Sequence, residues 1–205
     1  MKYMILILIA AVVVLIAVQS FFLIYDARIE QQPYTVLHKA GNIELRQYQP
    51  ALFASVTVGQ QMFEGQNQAF RQLAAYIFGQ NQRQERIAMT APVHIRPSGP
   101  NSEMKFMIPA QYKREALPAP QNDQISFYTE QGYYALAIRF GGYCDQQKFE
   151  HYKNKLQAYL QTHQIRPAGD FLFLGYNAPF QWVLRRNEVL VKITYQSTTE
   201  PSDSR

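Results

Sequence analysis

The sequence predicts an α+β domain in which an antiparallel sheet carries two helices on its outside, with a transmembrane helix in front of it. Three observations predict this: an uncharged apolar run near the N-terminus, stretches that alternate apolar and polar residues, and two amphipathic helical segments. The chain has 205 residues, of which 47% are hydrophobic and 17% are charged. This composition is too apolar for a disordered chain, and the part after the apolar run, about 170 residues, has the length of one domain.

The apolar run covers residues 4–25 and contains no charged side chain. A helix of this length spans roughly the 30 Å of a bilayer core, whereas the apolar part of a cleavable signal is shorter. We therefore interpret residues 1–33 as a membrane anchor and linker, and the alternative is a secretory signal cleaved near Ser20. With Lys2 and the terminal amine on one flank and Arg28 on the other, we expect a single-pass protein whose domain lies outside the cytoplasm, in the periplasm.

The charge of the chain narrows the class of partner. It has 20 basic and 15 acidic residues, a formal net charge of +5, and the basic residues are dispersed. No helix-turn-helix, zinc-finger or RNP signature is present, so nucleic acid is not an expected partner. A positive field suits an anionic small molecule or an anionic membrane surface, and a mildly basic solvated surface explains it equally well. The single cysteine excludes an intrachain disulfide and a four-cysteine zinc site.

An internal repeat organises the rest of the chain. When the sequence is shifted by about 82 residues, apolar and glycine positions fall on residues of the same class. Ile43, Val56, Gly59, Phe70 and Ile77 then match Ile125, Ile138, Gly141, Tyr152 and Tyr159. We infer two copies of one supersecondary unit.

Each copy begins with two strands of period two. These are predicted around residues 43–45 and over 51–58 in the first copy, and over 125–130 and 133–140 in the second. Two further strands follow each helix, over residues 87–95, 104–108, 171–176 and 189–195.

One helix follows the first strand pair of each copy. In the first helix, an arc of about 140° holds the apolar residues Phe63, Phe70, Leu73, Ala74, Ile77 and Phe78, and Gly79 can end it. In the second helix, Asp145 is placed as the N-cap, and Phe149, Tyr152, Leu156, Tyr159 and Leu160 form the matching stripe. Both helices are therefore expected to pack one face on the sheet.

Eight strands and two helices, in the order strand-strand-helix-strand-strand twice, predict a pseudo-twofold fold. Eight antiparallel strands can close into a small distorted barrel with the helices on its outside. We assign this domain to residues 34–196 and expect the polar tail, residues 197–205, to be disordered.

Four separated motifs carry a resemblance to a known family. MTAPV occurs at residues 89–93, FGGY at 140–143, GYNAP at 175–179 and RRNEV at 185–189. Together, over about residues 34–193, they resemble the SOUL heme-binding protein family. The resemblance implies a twofold-repeated α+β barrel, in agreement with the repeat, and reversible, non-covalent binding of heme or another tetrapyrrole without a reaction.

The resemblance also implies a groove along the first helix of the domain. A tetrapyrrole needs apolar walls and cationic or hydrogen-bonding groups for its propionates. The candidate cofactor-binding residues are Asn67, Phe70, Arg71, Ala74, Ala75, Phe78 and Gln181. The family's lysines are missing at Ala75 and Gln181, and Arg71 could replace them as the propionate partner. The alternative is that Phe70 and Ala74 belong to the core and that Arg71 is solvated.

The iron ligand is not identified by the sequence. The histidine proposed as a ligand in some family members matches Gln47, which is not a usual heme ligand. Of the four histidines, we expect His151 and His163 on the surface and structural roles for His38 and His94, although either of the latter could serve, as could Tyr48 or Met89. Covalent attachment is excluded because no Cys-x-x-Cys-His sequence occurs.

An enzyme is not expected. Cys144 precedes the second helix, where a thiol can have a lowered pKa, but no histidine is placed to act as its base. The carboxylates show no paired spacing, and we expect Glu188 to satisfy Arg185 or backbone donors. The rival hypothesis is an interaction module that binds a peptide, a lipid or another amphiphile in the same groove.

Overall fold

The computed structural model describes residues 2–59, 62–98, 100–181 and 183–195. The elements are α1 (Lys2–Arg28), β1 (Tyr34–Ala40), β2 (Ile43–Tyr48), β3 (Ala51–Val58), α2 (Met62–Ile77), β4 (Val93–Ser98), β5 (Asn101–Met107), β6 (Ser126–Glu130), β7 (Tyr133–Phe140), α3 (Gln146–Thr162), β8 (Pro167–Gly175) and β9 (Asn187–Ile193). The predicted tail, residues 197–205, lies outside the described residues.

The strands of the described residues form one nine-stranded sheet in the order β1-β2-β7-β9-β8-β4-β5-β3-β6, and neighbouring strands in it are antiparallel. The α+β class and the antiparallel sheet are therefore confirmed, but the predicted count of eight strands is wrong. The extra strand is β1, whose central five residues are all exposed, so no alternation marks it in the sequence. The sheet is open, with β1 and β6 at its ends, and closure into a barrel is not confirmed. After β1 the order strand-strand-helix-strand-strand occurs twice, while the correspondence of residues at an offset of 82 stays a prediction.

Both helices cover one face of the sheet. Leu73 and Ile77 of α2 and Leu156 and Leu160 of α3 are buried in the main core against apolar residues of the strands. The predicted N-cap of α3 is confirmed, because the Asp145 carboxylate accepts a hydrogen bond from the Lys148 backbone at 2.8 Å.

The end of α2 is also confirmed. Gly79 has a φ of +110°, which glycine adopts without the strain of a Cβ. Its N–H and that of Gln80 donate to the carbonyls of Tyr76 and Ala75, which satisfies the last turn.

The segment before β4 is not the strand that the sequence predicts from residue 87. Its backbone donors bond outside the sheet: Ile87 N–H donates to the Ile77 carbonyl at 2.8 Å, and Ala91 N–H donates to the Glu30 carbonyl at 3.0 Å. Pro92 has no N–H to donate. Residues 87–92 therefore run as irregular chain between the end of α2 and the segment that follows α1, and β4 begins at Val93.

Among the described residues, α1 is the one helix long and apolar enough to cross a membrane, with a mean hydropathy of 2.7 in the stretch Lys2–Ser20. None of that stretch is buried inside the protein, and a signal sequence would meet the same criterion. The residues that follow α1 are held by the domain. Glu30 accepts the hydrogen bond from Ala91 and a second, at 2.7 Å, from Ala110 N–H, and Gln32 is buried.

Candidate functional site

An apolar cleft of about 470 Å³ lies between α2 and the strands β4, β5 and β8. Its apolar lining comes from Ile29, Phe70, Phe78, Met89, Ala91, Val93, Ile95, Met104, Phe173, Pro179 and Phe180. Its polar lining includes Gln66, Asn67, Thr90, Tyr143, Cys144, Gln181, Arg185 and Asn187. This volume is in the usual range for small-molecule and cofactor sites.

The helix and the sheet each supply one wall by their own periodicity. Asn67 and Phe70 are three residues apart on α2 and so lie on the same side of that helix. The Phe70 ring contacts Phe106 on β5, with centroids 5.4 Å apart. Val93 and Ile95 alternate on β4, so both side chains point to the helix-covered face. The apolar side chains of the helix and of the strand therefore line the same cleft.

The third wall joins the family-like motifs by hydrogen bonds. Asn177 Oδ1 accepts from the Arg186 backbone at 2.6 Å, and Ala178 N–H donates to Gln181 Oε1 at 2.7 Å. Asn187 Nδ2 donates to the Gly142 carbonyl at 2.6 Å. The GYNAP, RRNEV and FGGY segments are therefore held together as one group of loops. The side chains of Asn177 and Asn187 supply two of the hydrogen bonds between them.

Arg185 is a site residue that the sequence analysis missed. Its Nη1 donates to the carbonyls of Ala178, at 2.8 Å, and Gln181, and its guanidinium lies 4.4 Å from the centre of the Tyr143 ring. Its buried Nε has no hydrogen-bond partner. Arg185 is the one cation among the described residues that line the cleft, and a hydrogen bond between a cation and a carboxylate is among the strong ones. The feature of the sequence that could have identified Arg185 is its position as the first residue of the RRNEV motif.

The predicted site residues are divided between three places. Asn67, Phe70, Phe78 and Gln181 line the cleft. Ala74 is buried and does not line the cleft. Arg71 and Ala75 line a separate cavity of about 360 Å³, and Arg71 Nε donates to the carbonyl of Asn67 in its own helix. The contact of each residue with a cofactor stays a prediction.

Soft potential ligands are present in the cleft, but the described residues that line it include no histidine. Its sulfur and phenol groups belong to Met89, Met104, Cys144, Tyr143 and Tyr176. The surface positions predicted for His151 and His163 are confirmed, and His38 is also exposed. Tyr48 is buried on the other face of the sheet, away from the cleft.

Cys144 is unsuited to nucleophilic catalysis. Burial raises the pKa of its thiol to about 12, and nearby Lys148 lowers it too little to compensate. The thiol is therefore protonated at neutral pH, whereas a catalytic cysteine needs its thiolate. Among the described residues there is also no group of three His, Cys, Asp or Glu side chains that could hold a metal ion.

A buried ion pair supports the cleft from the opposite face of the sheet. Glu188 Oε2 accepts from Arg46 Nη1 at 2.6 Å and from the Tyr176 hydroxyl at 2.9 Å, and Tyr176 also lines the cleft. Arg186 binds the other oxygen of Glu188 at 2.8 Å. The expected pairing of Glu188 with Arg185 is thus wrong, because side chains alternate along a strand and Glu188 points away from the cleft. Burial raises the pKa of Glu188, but the hydrogen bonds and the positive charges of Arg46 and Arg186 together outweigh burial and hold that pKa below its ordinary value.

A second cavity, of about 480 Å³, lies on this opposite face and is polar. His94 borders it with 2% of its surface exposed, and neither of its ring nitrogens has a hydrogen-bond partner. Lys105 and Lys192 also border it, and both contact Glu130. Burial lowers the pKa of His94 well below 6.5, and the two lysines lower it further. His94 is thus a neutral imidazole on the far side of the sheet from the apolar cleft.

Solved structures with a similar fold belong to proteins of different kinds. A structure titled as a hydrolase from Listeria innocua is similar with a TM-score of 0.57 and 10% identity, over 77% of this chain and 94% of that one. The C-terminal domain of EcmrR is similar with a TM-score of 0.57 and 9% identity, over 80% of this chain and 99% of that one. At such identities the likeness shows a shared fold only.

Comparisons of the sequence are more specific. Heme-binding protein 2 of Mus musculus is 30% identical over 170 residues, which is 77% of this chain and 80% of the relative. Heme-binding protein 1 of Xenopus tropicalis is 29% identical over 154 residues, which is 71% of this chain and 80% of the relative. The model of the SOUL heme-binding protein family matches residues 29–192, a span that contains the cleft, all four motifs and the buried ion pair. The chain therefore belongs to the SOUL heme-binding protein family.

Proposed function

We propose that this protein binds heme or a related tetrapyrrole non-covalently in the apolar cleft beside α2, and that it carries or buffers this ligand at a membrane to which α1 tethers it. The observation that carries the proposal is an apolar cleft in which Arg185 is the one cation among the described lining residues. A flat apolar macrocycle with anionic propionates has the complementary chemistry. Membership of a heme-binding family and the names of the relatives support the same ligand class.

In this proposal the chain itself contributes binding and no reaction. Phe70, Met104 and Phe173 would contact the macrocycle, and Arg185 would pair with a propionate. Met89 is the candidate for contact with the metal, because the Cys144 thiol is protonated and a cysteine binds metal as its thiolate. The domain is proposed to lie outside the cytoplasm, with α1 as a single anchor. Extraction of the chain from membranes only by detergent would support the anchor, whereas a shortened chain found free of membranes would contradict it.

Titration of the detergent-solubilised chain with hemin tests the ligand. We expect a Soret shift that saturates at one equivalent, together with quenching of the single tryptophan, Trp182, which lies outside the described residues. Absence of both signals would contradict heme binding. Saturable binding of a fatty acid or peptide without a Soret change would favour the alternative, an interaction module for another amphiphile.

Phe70→Ala is expected to weaken hemin binding by about tenfold or more, because burying such a side chain contributes about 1.5–3 kcal/mol. The measurement is the dissociation constant from the Soret titration. Phe127→Ala is the matched control, since Phe127 is also partly buried against the core but does not line the cleft. Equal affinities of both variants and the parent chain would remove Phe70 from the site.

Arg185→Met is expected to weaken hemin binding by about tenfold, in line with about 1.5–3 kcal/mol for a hydrogen bond to a charged group. It should leave the binding of the dimethyl ester of the same porphyrin unchanged, because the ester has no carboxylate. Arg71→Met is the control on the other cavity, and its own loss of hemin affinity would restore Arg71 as the propionate partner. An equal loss of acid and ester binding by Arg185→Met would indicate that Arg185 acts only by holding the loop.

A further inference from the structure

Three exposed aromatic side chains line the cleft, and two exposed aliphatic side chains lie in the loop that follows Gln181. We call these five residues the cleft rim: Phe78, Tyr143, Phe180, Val183 and Leu184. Phe78 and Phe180 are each 60% exposed, Tyr143 is 58% exposed and Leu184 is 71% exposed. Phe78, Tyr143 and Phe180 line the cleft, while Val183 and Leu184 follow Gln181 in the same loop. Large exposed apolar groups gathered at one place mark an interaction surface.

The chain itself indicates what lies next to this rim. The helix α1 ends at Arg28, and the next residue, Ile29, lines the cleft. Successive Cα atoms are about 3.8 Å apart, so the end of α1 and the cleft are neighbours by covalent geometry. The hydrogen bonds of Glu30 to Ala91 and Ala110 hold this junction against the domain.

The length of α1 places the junction relative to a bilayer. Its 27 residues extend about 40 Å, which matches the hydrocarbon core together with the head-group regions. If α1 spans the bilayer, Arg28 is at the level of the head groups and the cleft lies at the membrane surface. Aromatic rings are favoured at that depth, and the exposed Arg28 suits anionic lipid head groups.

We propose that the cleft rim docks on the surface of the same bilayer that holds α1, so that the ligand enters and leaves the cleft through the membrane interface rather than through bulk water. This inference rests on the proposed tether and on the proposed ligand. The rim contacts lipid in this proposal, because the chain that leaves the bilayer at the end of α1 continues directly into the cleft at Ile29.

The test uses the full chain reconstituted in phosphatidylcholine vesicles with phosphatidylglycerol. Trp182 is the only tryptophan and directly precedes Val183, so its fluorescence reports on this loop. We expect strong quenching when the lipids carry brominated acyl chains. The double variant Val183→Glu with Leu184→Glu should lose most of this quenching. The matched control, Val36→Glu with Leu37→Glu, changes exposed residues on the edge strand β1 and should retain it.

Transfer of hemin separates docking from ligand binding. The rim variant should bind hemin in detergent as the parent chain does, yet take it up from hemin-loaded vesicles about tenfold more slowly, since two apolar contacts with the interface are lost. Equal quenching of the parent chain and the rim variant, or no quenching of either, would overturn docking even if hemin binds normally. Loss of quenching in the rim variant alone would support docking even if neither protein binds hemin, in which case the proposed ligand is what fails.

Discussion

Arg46→Ala is expected to lower the free energy of unfolding by about 3–5 kcal/mol, because it leaves the Glu188 carboxylate buried without its main partner. Both side chains are almost fully buried, with 1% and 0% of their surface exposed. Arg46 binds the two oxygens of Glu188 at 2.6 and 2.9 Å and also donates to the Tyr48 hydroxyl. Arg186 still contacts Glu188 in the variant, which favours the lower end of this range.

The matched control is Arg96→Ala. Arg96 also forms ion pairs, with Glu103 and Asp170, but it is 44% exposed, and solvent screens such pairs to about 0–1 kcal/mol. The measurement is urea unfolding of the chain in a non-ionic detergent. A loss for Arg46→Ala no larger than that for Arg96→Ala would show that the buried pair contributes no more than a surface one. Because Tyr176 joins Glu188 to the cleft, we also expect Arg46→Ala to weaken hemin binding.

The stability of the domain is expected to fall as the pH is lowered below about 6.5, by up to about 1.4 kcal/mol per pH unit from His94 alone. Burial keeps the pKa of this side chain well below 6.5 in the folded protein, with Lys105 and Lys192 adding to the effect. The unfolded chain therefore takes up a proton near pH 6.5 that the folded protein does not. Protonation then favours the unfolded state until the pH reaches the lowered pKa of the folded state.

The variant His94→Leu should remove this slope between pH 6.5 and 5. Stability at neutral pH should change little, because the two ring nitrogens have no hydrogen-bond partner to lose. The exposed His38→Gln is the control and should keep the slope. Carboxylates with a lowered pKa, such as Glu188 and Glu130, lose their contribution only in a more acidic range, below their ordinary value of 4.5. Parallel pH profiles for the parent chain and His94→Leu would contradict the assignment.

The periodicity of the sequence predicted those site residues whose positions depend on a single helix. The predicted stripe contains Phe70 and Phe78, and both line the cleft. The core position expected for Phe78 is wrong, because α2 ends at Ile77 and Phe78 is 60% exposed in the following turn. The cap Asp145 and the terminating Gly79 were also predictable, since caps depend on the nearest turn of backbone.

The same patterns could not place Arg71 and Arg185. Arg71 lies at the edge of the stripe, and only the position of the sheet decides that it faces the smaller cavity. Arg185 lies in a loop without periodicity, and its orientation follows from contacts with Ala178 and Tyr143. The RRNEV motif therefore identified this loop as important but did not show that Arg185 lines the cleft.

The sequence by itself determined the apolar N-terminal helix, the two amphipathic helices, most of the strands and the family, since these depend on residue order and on spacing over a few positions. Only the tertiary structure decided that nine strands form an open sheet, that Glu188 pairs with Arg46 at a separation of 142 residues, and that Ile29 lines the same cleft as Phe180. The physical reason is that burial, ion pairing and cavity shape are set by groups that meet across the fold, and no local spacing encodes which distant groups will meet.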